Sequence, residues 1–296
     1  MSLGRALAAL RSSEWLLIGY FAYVALITPA FSLGPQAKWQ ALAVFVLTAS
    51  LLGMLAVAET FGNEEFFSIA RDWVPLVLTL VAYREMDWFA PLARDYNREL
   101  RWLDWDRSLL YGAGLQRAIE SLGALLPAYL EFCYFLVYGV GAFSVAVLYF
   151  LERRELVNRL LLMYLAGTLL AYALFPYFPS DPPRTLFGGS DLPNVTTPIR
   201  QLNLWIVSGY GIHSSVFPSA HVSSAYSAAW ALLWLLPDKR RFGWGMLVYA
   251  ASVAVATVYG RYHYAVDAVA GLGVSVIAAL ILLLALRRPL RARGLP

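Results

Sequence analysis

Apolar residues run in long unbroken blocks along this chain, and polar residues gather in short stretches between them. A helix needs about 20 predominantly apolar residues to cross roughly 30 Å of hydrocarbon. Trp15 to Ala37 carries no charge and holds one such block, and Trp39 to Ala58 holds a second. Trp73 to Tyr83 is short, and a third span over it has to include Arg71 and Asp72. Further blocks cover Phe132 to Leu151 (extending back toward Leu125), Leu160 to Pro179, Val222 to Leu236, Phe242 to Tyr259 and Ala268 to Leu286. The pattern predicts an all-α, polytopic transmembrane helical bundle of about eight spans.

Two segments fall outside the blocks. Residues 84–120 are polar and rich in Trp, which favours the headgroup level, so they are expected to lie at the membrane interface. Residues 180–218 form a long loop punctuated by Pro182, Pro183, Gly188, Gly189, Pro193, Pro198, Gly209 and Gly211. Within that loop Ile199, Leu202, Trp205 and Ile206 recur at helical spacing, which predicts a short amphipathic helix on the membrane surface. The expected division is 1–120 for N-terminal spans and interfacial segment, and 121–296 for a functional core with its loop 180–218.

Composition agrees. The chain is 60% hydrophobic and 14% charged, against about 25% charged in soluble domains. Its single cysteine, Cys133, excludes an intramolecular disulfide. A net charge of +4 gives no reason to expect nucleic acid as a partner. The block after Arg5 and Arg11 is too long for a leader's apolar core and is read as a retained span.

Counting the spans brings three polar stretches together. Span five ends at Ser180-Asp181-Pro182-Pro183-Arg184, and span six begins at Phe217-Pro218-Ser219-Ala220-His221. Span seven returns to Arg261-Tyr262-His263-Tyr264, and span eight leaves from Asp267. Parity alone places all three on one face. The opposite ends carry Arg153, Arg154 and Arg159, then Lys239, Arg240 and Arg241, then Arg287, Arg288, Arg291 and Arg293. Short positive loops mark the cytoplasmic side, so the three stretches are expected on the extracytoplasmic face, in a bacterial inner membrane. The arginines of 84–120 sit awkwardly with that assignment.

The residue types suit phosphate chemistry. His263 and Asp267 stand four apart, on one face if both are helical. A carboxylate on one imidazole nitrogen fixes the tautomer and leaves the other free as nucleophile or base. Ser219 is a good N-cap, and the amides of the turn it opens form an anion site. His221 beside it suits a general acid. Arg184 offers a donor fork matched to phosphate oxygens. His213 is read as an ordinary loop residue. Each stretch alone has a plainer explanation, such as a capped helix start or an arginine at the headgroups. Their order, on one face at consecutive span boundaries, is the signal.

In that order the chain resembles the type 2 phosphatidic acid phosphatase superfamily. Pro218, Ser219 and His221 match its Pro-Ser-x-His motif, and His263 with Asp267 match its His-x-x-x-Asp motif. Arg184 matches the first motif in part: the family's lysine falls on Tyr177, and an arginine of its third motif falls on Thr257, with Arg261 nearer His263 instead. These departures resemble the inositol phosphorylceramide synthase-like branch. The resemblance implies a six-helix core preceded by N-terminal spans. It implies His263 as the nucleophile forming a phosphohistidine, Asp267 as its orienting carboxylate and His221 as acid and base. Arg184, Ser219 and Arg261 would hold phosphoryl oxygens. No metal or other cofactor is implied. The partners would be a lipid phosphate or phospholipid and a lipid alcohol acceptor. Water as acceptor, making a lipid phosphate phosphatase, stays open, as does a non-enzymatic membrane protein with relic motifs.

Overall fold

The computed structural model of the chain describes residues 8–186 and 191–292, with side chains through 285. Arg5, Gly188, Gly189, Arg293 and the side chains of Arg287, Arg288 and Arg291 lie outside the described residues. Among those described, every regular element is a helix. Seven helical stretches are long and apolar enough to cross a membrane. The eighth crossing, Ala220–Leu235, is 16 residues long and is enclosed by three of the others. The protein is an integral membrane helical bundle.

The spans in chain order are α1 (Ser12–Ile27), α2 (Pro35–Phe61) and α3 (Glu64–Glu85). The interfacial segment then forms α4 (Tyr96–Arg107) and α5 (Leu115–Glu120). The fourth crossing is α6 (Leu125–Leu136), continued after a tight turn by α7 (Val140–Phe150). Next come α8 (Val157–Leu174), the loop helix α9 (Pro198–Tyr210), α10 (Ala220–Leu235), α11 (Arg240–Tyr259) and α12 (Ala265–Ala292). The first span ends ten residues before Ala37: Pro29 and the Gly34-Pro35 pair break the apolar block into a turn and the start of α2.

Helix starts follow side-chain chemistry. Asn63 accepts the Phe66 amide at 2.9 Å to open α3, and Thr197 accepts the Arg200 amide at 3.2 Å to open α9. The expected amphipathic helix is therefore α9, with Trp205 and Tyr210 exposed and Arg200 and Asn203 buried beneath it.

At the centre, α10 packs against α8, α11 and α12 through small residues. A Cβ on Gly167 of α8 would run into the Ser227 hydroxyl of α10. One on Gly271 of α12 would run into the Ser219 carbonyl. These close approaches seat the head of α10 against the first turns of α12.

Arg71 and Asp72 do lie inside the third span, whose helix starts at Glu64, and both are buried. Arg71 clasps Glu14 of α1 at 2.6 and 2.7 Å and also pairs with Glu59 of α2. Asp72 accepts from Arg11 and Arg154, each at 2.7 Å, and from the Tyr149 hydroxyl at 2.6 Å. One ionic cluster thus ties the first four crossings together at the face away from residues 178–219. Charges at membrane depth are tolerated when paired in this way. Arg71→Ala would leave buried Glu14 without a cation and Glu59 with Arg11 alone. We expect it to lower unfolding free energy by about 3–5 kcal/mol, read by denaturant titration in detergent micelles; an unchanged transition would mean that the cluster contributes nothing.

Candidate active site

The chain after α11 makes a sharp reversal. Arg261 adopts φ +62, a left-handed conformation that costs a non-glycine residue roughly 1–2 kcal/mol. The turn lets the Tyr262 and His263 amides both donate to the Thr257 carbonyl, at 2.9 and 3.0 Å. Two contacts hold it there. The Arg261 guanidinium pairs with buried Asp106 of α4, and Asp106 also accepts the Ala265 amide at 2.8 Å. His263 therefore stands in the turn ahead of α12, not within a helix, while Asp267 lies in the first turn of α12. The four-residue spacing still brings them together, with His263 Nδ1 3.3 Å from Asp267 Oδ2. Asp267 Oδ2 also accepts the Tyr264 amide at 2.9 Å.

A shorter bond fixes the imidazole. His263 Nδ1 lies 2.9 Å from the Val216 carbonyl oxygen. A carbonyl can only accept, so Nδ1 carries the proton and Nε2 keeps its lone pair. Val216 carries no side-chain chemistry, so the sequence offered no sign of it. Its strand of loop is held by Ser180, which accepts the Val216 amide at 3.3 Å, and by Ser215, which donates to Phe178 at 2.6 Å.

His221 arrives from α10. Ser219 caps that helix by accepting the Val222 amide at 3.3 Å, and its own amide donates to the Asp267 carbonyl at 2.9 Å. The two histidine rings meet edge to face with centroids 5.7 Å apart. Tyr134 and Tyr138 stand edge-on to His221 at 5.2 and 5.4 Å. Arg184 sits in a single helical turn, Pro183–Leu186, whose amide donates to the Arg261 carbonyl at 3.2 Å. Its guanidinium lies over the Tyr262 ring at 5.5 Å. His221, His263 and Arg184 line one small cavity of about 50 Å³.

Ser219 takes the capping place expected of it, and Arg261 has a partner of its own. Ser219 is fully buried and engaged as a cap. The Arg261 side chain does not line the cavity; it turns to Asp106, and its effect on the site passes through the backbone reversal. Tyr177, at the family's lysine position, is exposed and meets the Tyr23 hydroxyl at 3.1 Å. Thr257 is buried, with its hydroxyl turned to the Ala254 carbonyl. His213 meets Asp87 at the surface at 3.3 Å.

Tyr262 reaches a second buried group that sequence reasoning missed. Its hydroxyl donates to Glu131 of α6 at 2.7 Å, and Glu131 also accepts from Arg200 and Asn203 of α9 at 2.7 Å each. Tyr262 stacks on Tyr134 with centroids 3.8 Å apart. Glu131 lies inside an apolar block and Arg200 on the amphipathic loop helix. Two isolated ionisable residues so far apart could be paired only by the fold. The interfacial segment 84–120 caps the same face. Arg94 pairs with Asp181 at 3.2 Å, Arg107 with Asp191 at 3.0 Å, and Arg98 donates to the Pro179 carbonyl at 2.8 Å. These arginines are therefore engaged by acids and carbonyls of the segment 179–191, which explains how they share its side of the bundle.

Burial, and then the nearby Arg184 cation, pull the His263 imidazole down to about 3, against the Val216 carbonyl, which raises it. Its unfolded value is near 6.5. The contribution to stability is thus fully present above pH 6.5. It is lost as the pH falls toward 3, because the unfolded chain takes a proton that the folded site refuses. At pH 5 the loss is about 2 kcal/mol. A thermal-unfolding series from pH 7 to 5 should show it, and His263→Gln should flatten the slope. Equal slopes in both proteins would contradict a neutral buried imidazole.

Comparison with curated proteins and with solved structures returned no significant match. The family model described as the PAP2 superfamily matches residues 102–281, a stretch that starts in α4 just before Asp106 and holds His221, His263, Asp267 and Arg184. With more than half of its length matched and Arg184, His221 and His263 lining one cavity, the chain belongs to the PAP2 superfamily and is a membrane enzyme of the phosphatase type.

Proposed function

We propose that the protein moves a phospho-headgroup from a phospholipid, or another lipid phosphate, to a lipid alcohol through a phosphohistidine on His263. The observation that carries this reading is the cavity shared by three groups. His263 has its Nδ1 proton committed to Val216, while His221 and Arg184 face the same space. In the first step His263 Nε2 forms a bond to phosphorus. The bond from phosphorus to the lipid oxygen breaks, and His221, which takes up a proton when the anionic phosphate binds beside it, gives that proton to the oxygen. In the second step the acceptor oxygen attacks phosphorus, its proton goes to His221, and the P–N bond breaks. Asp267 stabilises the imidazolium. Arg184 neutralises charge on the phosphoryl oxygens, since phosphoryl transfer rests largely on positioning and electrostatics. Ser219 and Arg261 act at a remove, one shaping the head of α10 and the other the turn that carries His263. The scheme calls on no metal or other cofactor.

Water in place of the alcohol gives a lipid phosphate phosphatase with the same residues, and this is the second reading. We place the site on the extracytoplasmic face of a bacterial inner membrane, on the strength of the arginines at the opposite loops. Purified protein would be given labelled phosphatidylinositol, phosphatidic acid or an isoprenoid diphosphate, with and without diacylglycerol or ceramide. Label moving to the added alcohol supports transfer; free phosphate that ignores the alcohol supports hydrolysis. His263→Ala should abolish turnover and the acid-labile phosphoenzyme, and retained turnover would end the phosphohistidine scheme.

The roles divide further by leaving group. His221→Ala should lose about 10²- to 10⁴-fold on a lipid donor. It should lose far less on an aryl phosphate, whose leaving group needs no proton. An equal loss on both would remove His221 from the acid role. Arg184→Lys should lower turnover too, since an ammonium does not reproduce the guanidinium fork.

A further inference from the structure

A second cavity is separate in shape from the phosphoryl cavity but shares a wall with it. It measures about 530 Å³, within the range of a small-molecule site. It lies between α3 on one side and α7 and α8 on the other, under the loop helix α9. Tyr83, Tyr138, Ala220 and His221 line both spaces. His263 and Arg184 line only the smaller one.

Its form is that of a slot standing along the membrane normal. The α3 wall runs from Trp73 to Arg84, about 16 Å at 1.5 Å per residue. Arg84 marks the end nearest the site face, where it also donates to the Tyr210 carbonyl at 3.0 Å. Below that end the lining is mostly apolar, with Tyr138, Tyr164 and Tyr172 among its side chains. Thr79, Thr168 and Ser224 each turn their hydroxyls back to a helix carbonyl, at 2.8, 2.8 and 3.0 Å. Val77 and Leu80 of α3 are 60% and 58% exposed. The side of the slot therefore opens toward the bilayer rather than toward water.

We infer that this slot holds a hydrocarbon chain of the donor lipid, entering sideways from the bilayer between α3 and α7. The inference rests on the function proposed above and adds where its substrate lies. In both readings of that function, the group that departs in the first step is the lipid alcohol, and His221 protonates it. The chain is attached to that departing oxygen, so it must leave the phosphoryl cavity past His221. The slot begins there. A chain in it is held by apolar contact, which matches a lining that is mostly apolar and whose threonine and serine hydroxyls are already satisfied. The family match starts at residue 102 and does not reach α3. One wall of the slot thus comes from the N-terminal spans, which gives those spans a part in choosing the lipid.

The test uses the full chain in phospholipid nanodiscs and a phosphatidic acid with a diazirine midway along one acyl chain. Crosslinks should map to peptides of α3 between Trp73 and Arg84 and to α7. Val77→Trp, which fills the slot from its open side, should weaken those crosslinks. It should also lower kcat/KM for long-chain relative to short-chain phosphatidic acid about tenfold, the lower end of what one methylene contributes in an apolar pocket. Leu47→Trp, on the bilayer face of α2 and 68% exposed, serves as the control and should match the wild type. Crosslinks spread over the lipid face, or gathered at the groove between α8, α10, α11 and α12, would overturn the inference whether or not the Trp variant folds. Unchanged chain discrimination in a stable Val77→Trp protein would do the same. If α3 is labelled but wild type turns over no phosphate ester, the chain site stands and the proposed function falls. If turnover depends on His263 while α3 stays unlabelled, the function stands and the chain site falls.

Discussion

An ion pair with no access to water governs the site-bearing half of this molecule. Arg261 and Asp106 are each about 1% exposed or less. An unpaired charge in that position would cost several kcal/mol, so the two must meet, and their meeting constrains everything around them. Arg261 is held in a left-handed conformation, the backbone reverses, and the reversal delivers His263 to the Val216 carbonyl. The second carboxylate oxygen of Asp106 accepts the Ala265 amide and starts α12, which carries Asp267. Asp106 itself comes from the interfacial segment. A stretch expected at the membrane interface is thereby the anchor of the site.

The same rule of paired charge orders the opposite face. Glu14, Arg71 and Asp72 sit within spans and would each oppose insertion alone. Together with Arg11, Glu59 and Arg154 they form a cluster that reads as glue among the first four crossings. The bundle therefore has an ionic plate at one end and a chemical site at the other. Between them the core is apolar, with small residues where α8, α10 and α12 approach most closely.

The site face divides its labour between two spaces. The smaller one gathers the cation and the two imidazoles, and the larger one presents hydrocarbon to the bilayer. His221 stands at their junction. This arrangement suits a substrate that is charged at one end and oily along its length. It also gives α9 a role in the architecture: its buried side holds Glu131 and, through it, Tyr262, while Ile206 and Tyr210 roof the slot.

Hydrophobic periodicity and block length determined the class of fold, the number of crossings and the surface helix, because burial in hydrocarbon is a local property of about 20 residues. Parity then put His221, His263 and Arg184 on one face, since a chain that crosses an even number of times returns to its starting side. Capping by Ser219 was legible for the same local reason. Some of the structure was not. The resemblance put Arg261 among the phosphate-holding residues, but nothing in the sequence marked its partner Asp106, 155 residues earlier in the chain. It left Arg71 and Asp72 as an obstacle to a third span, whereas the helix continues through them because their partners come from other spans. Val216 acts through a carbonyl, a group every residue carries, so no side-chain pattern could mark it. The slot beside His221 belongs to α3, α7 and α8 together. Pairings and cavities between distant segments depend on how the helices cross, and only the assembled bundle decides that.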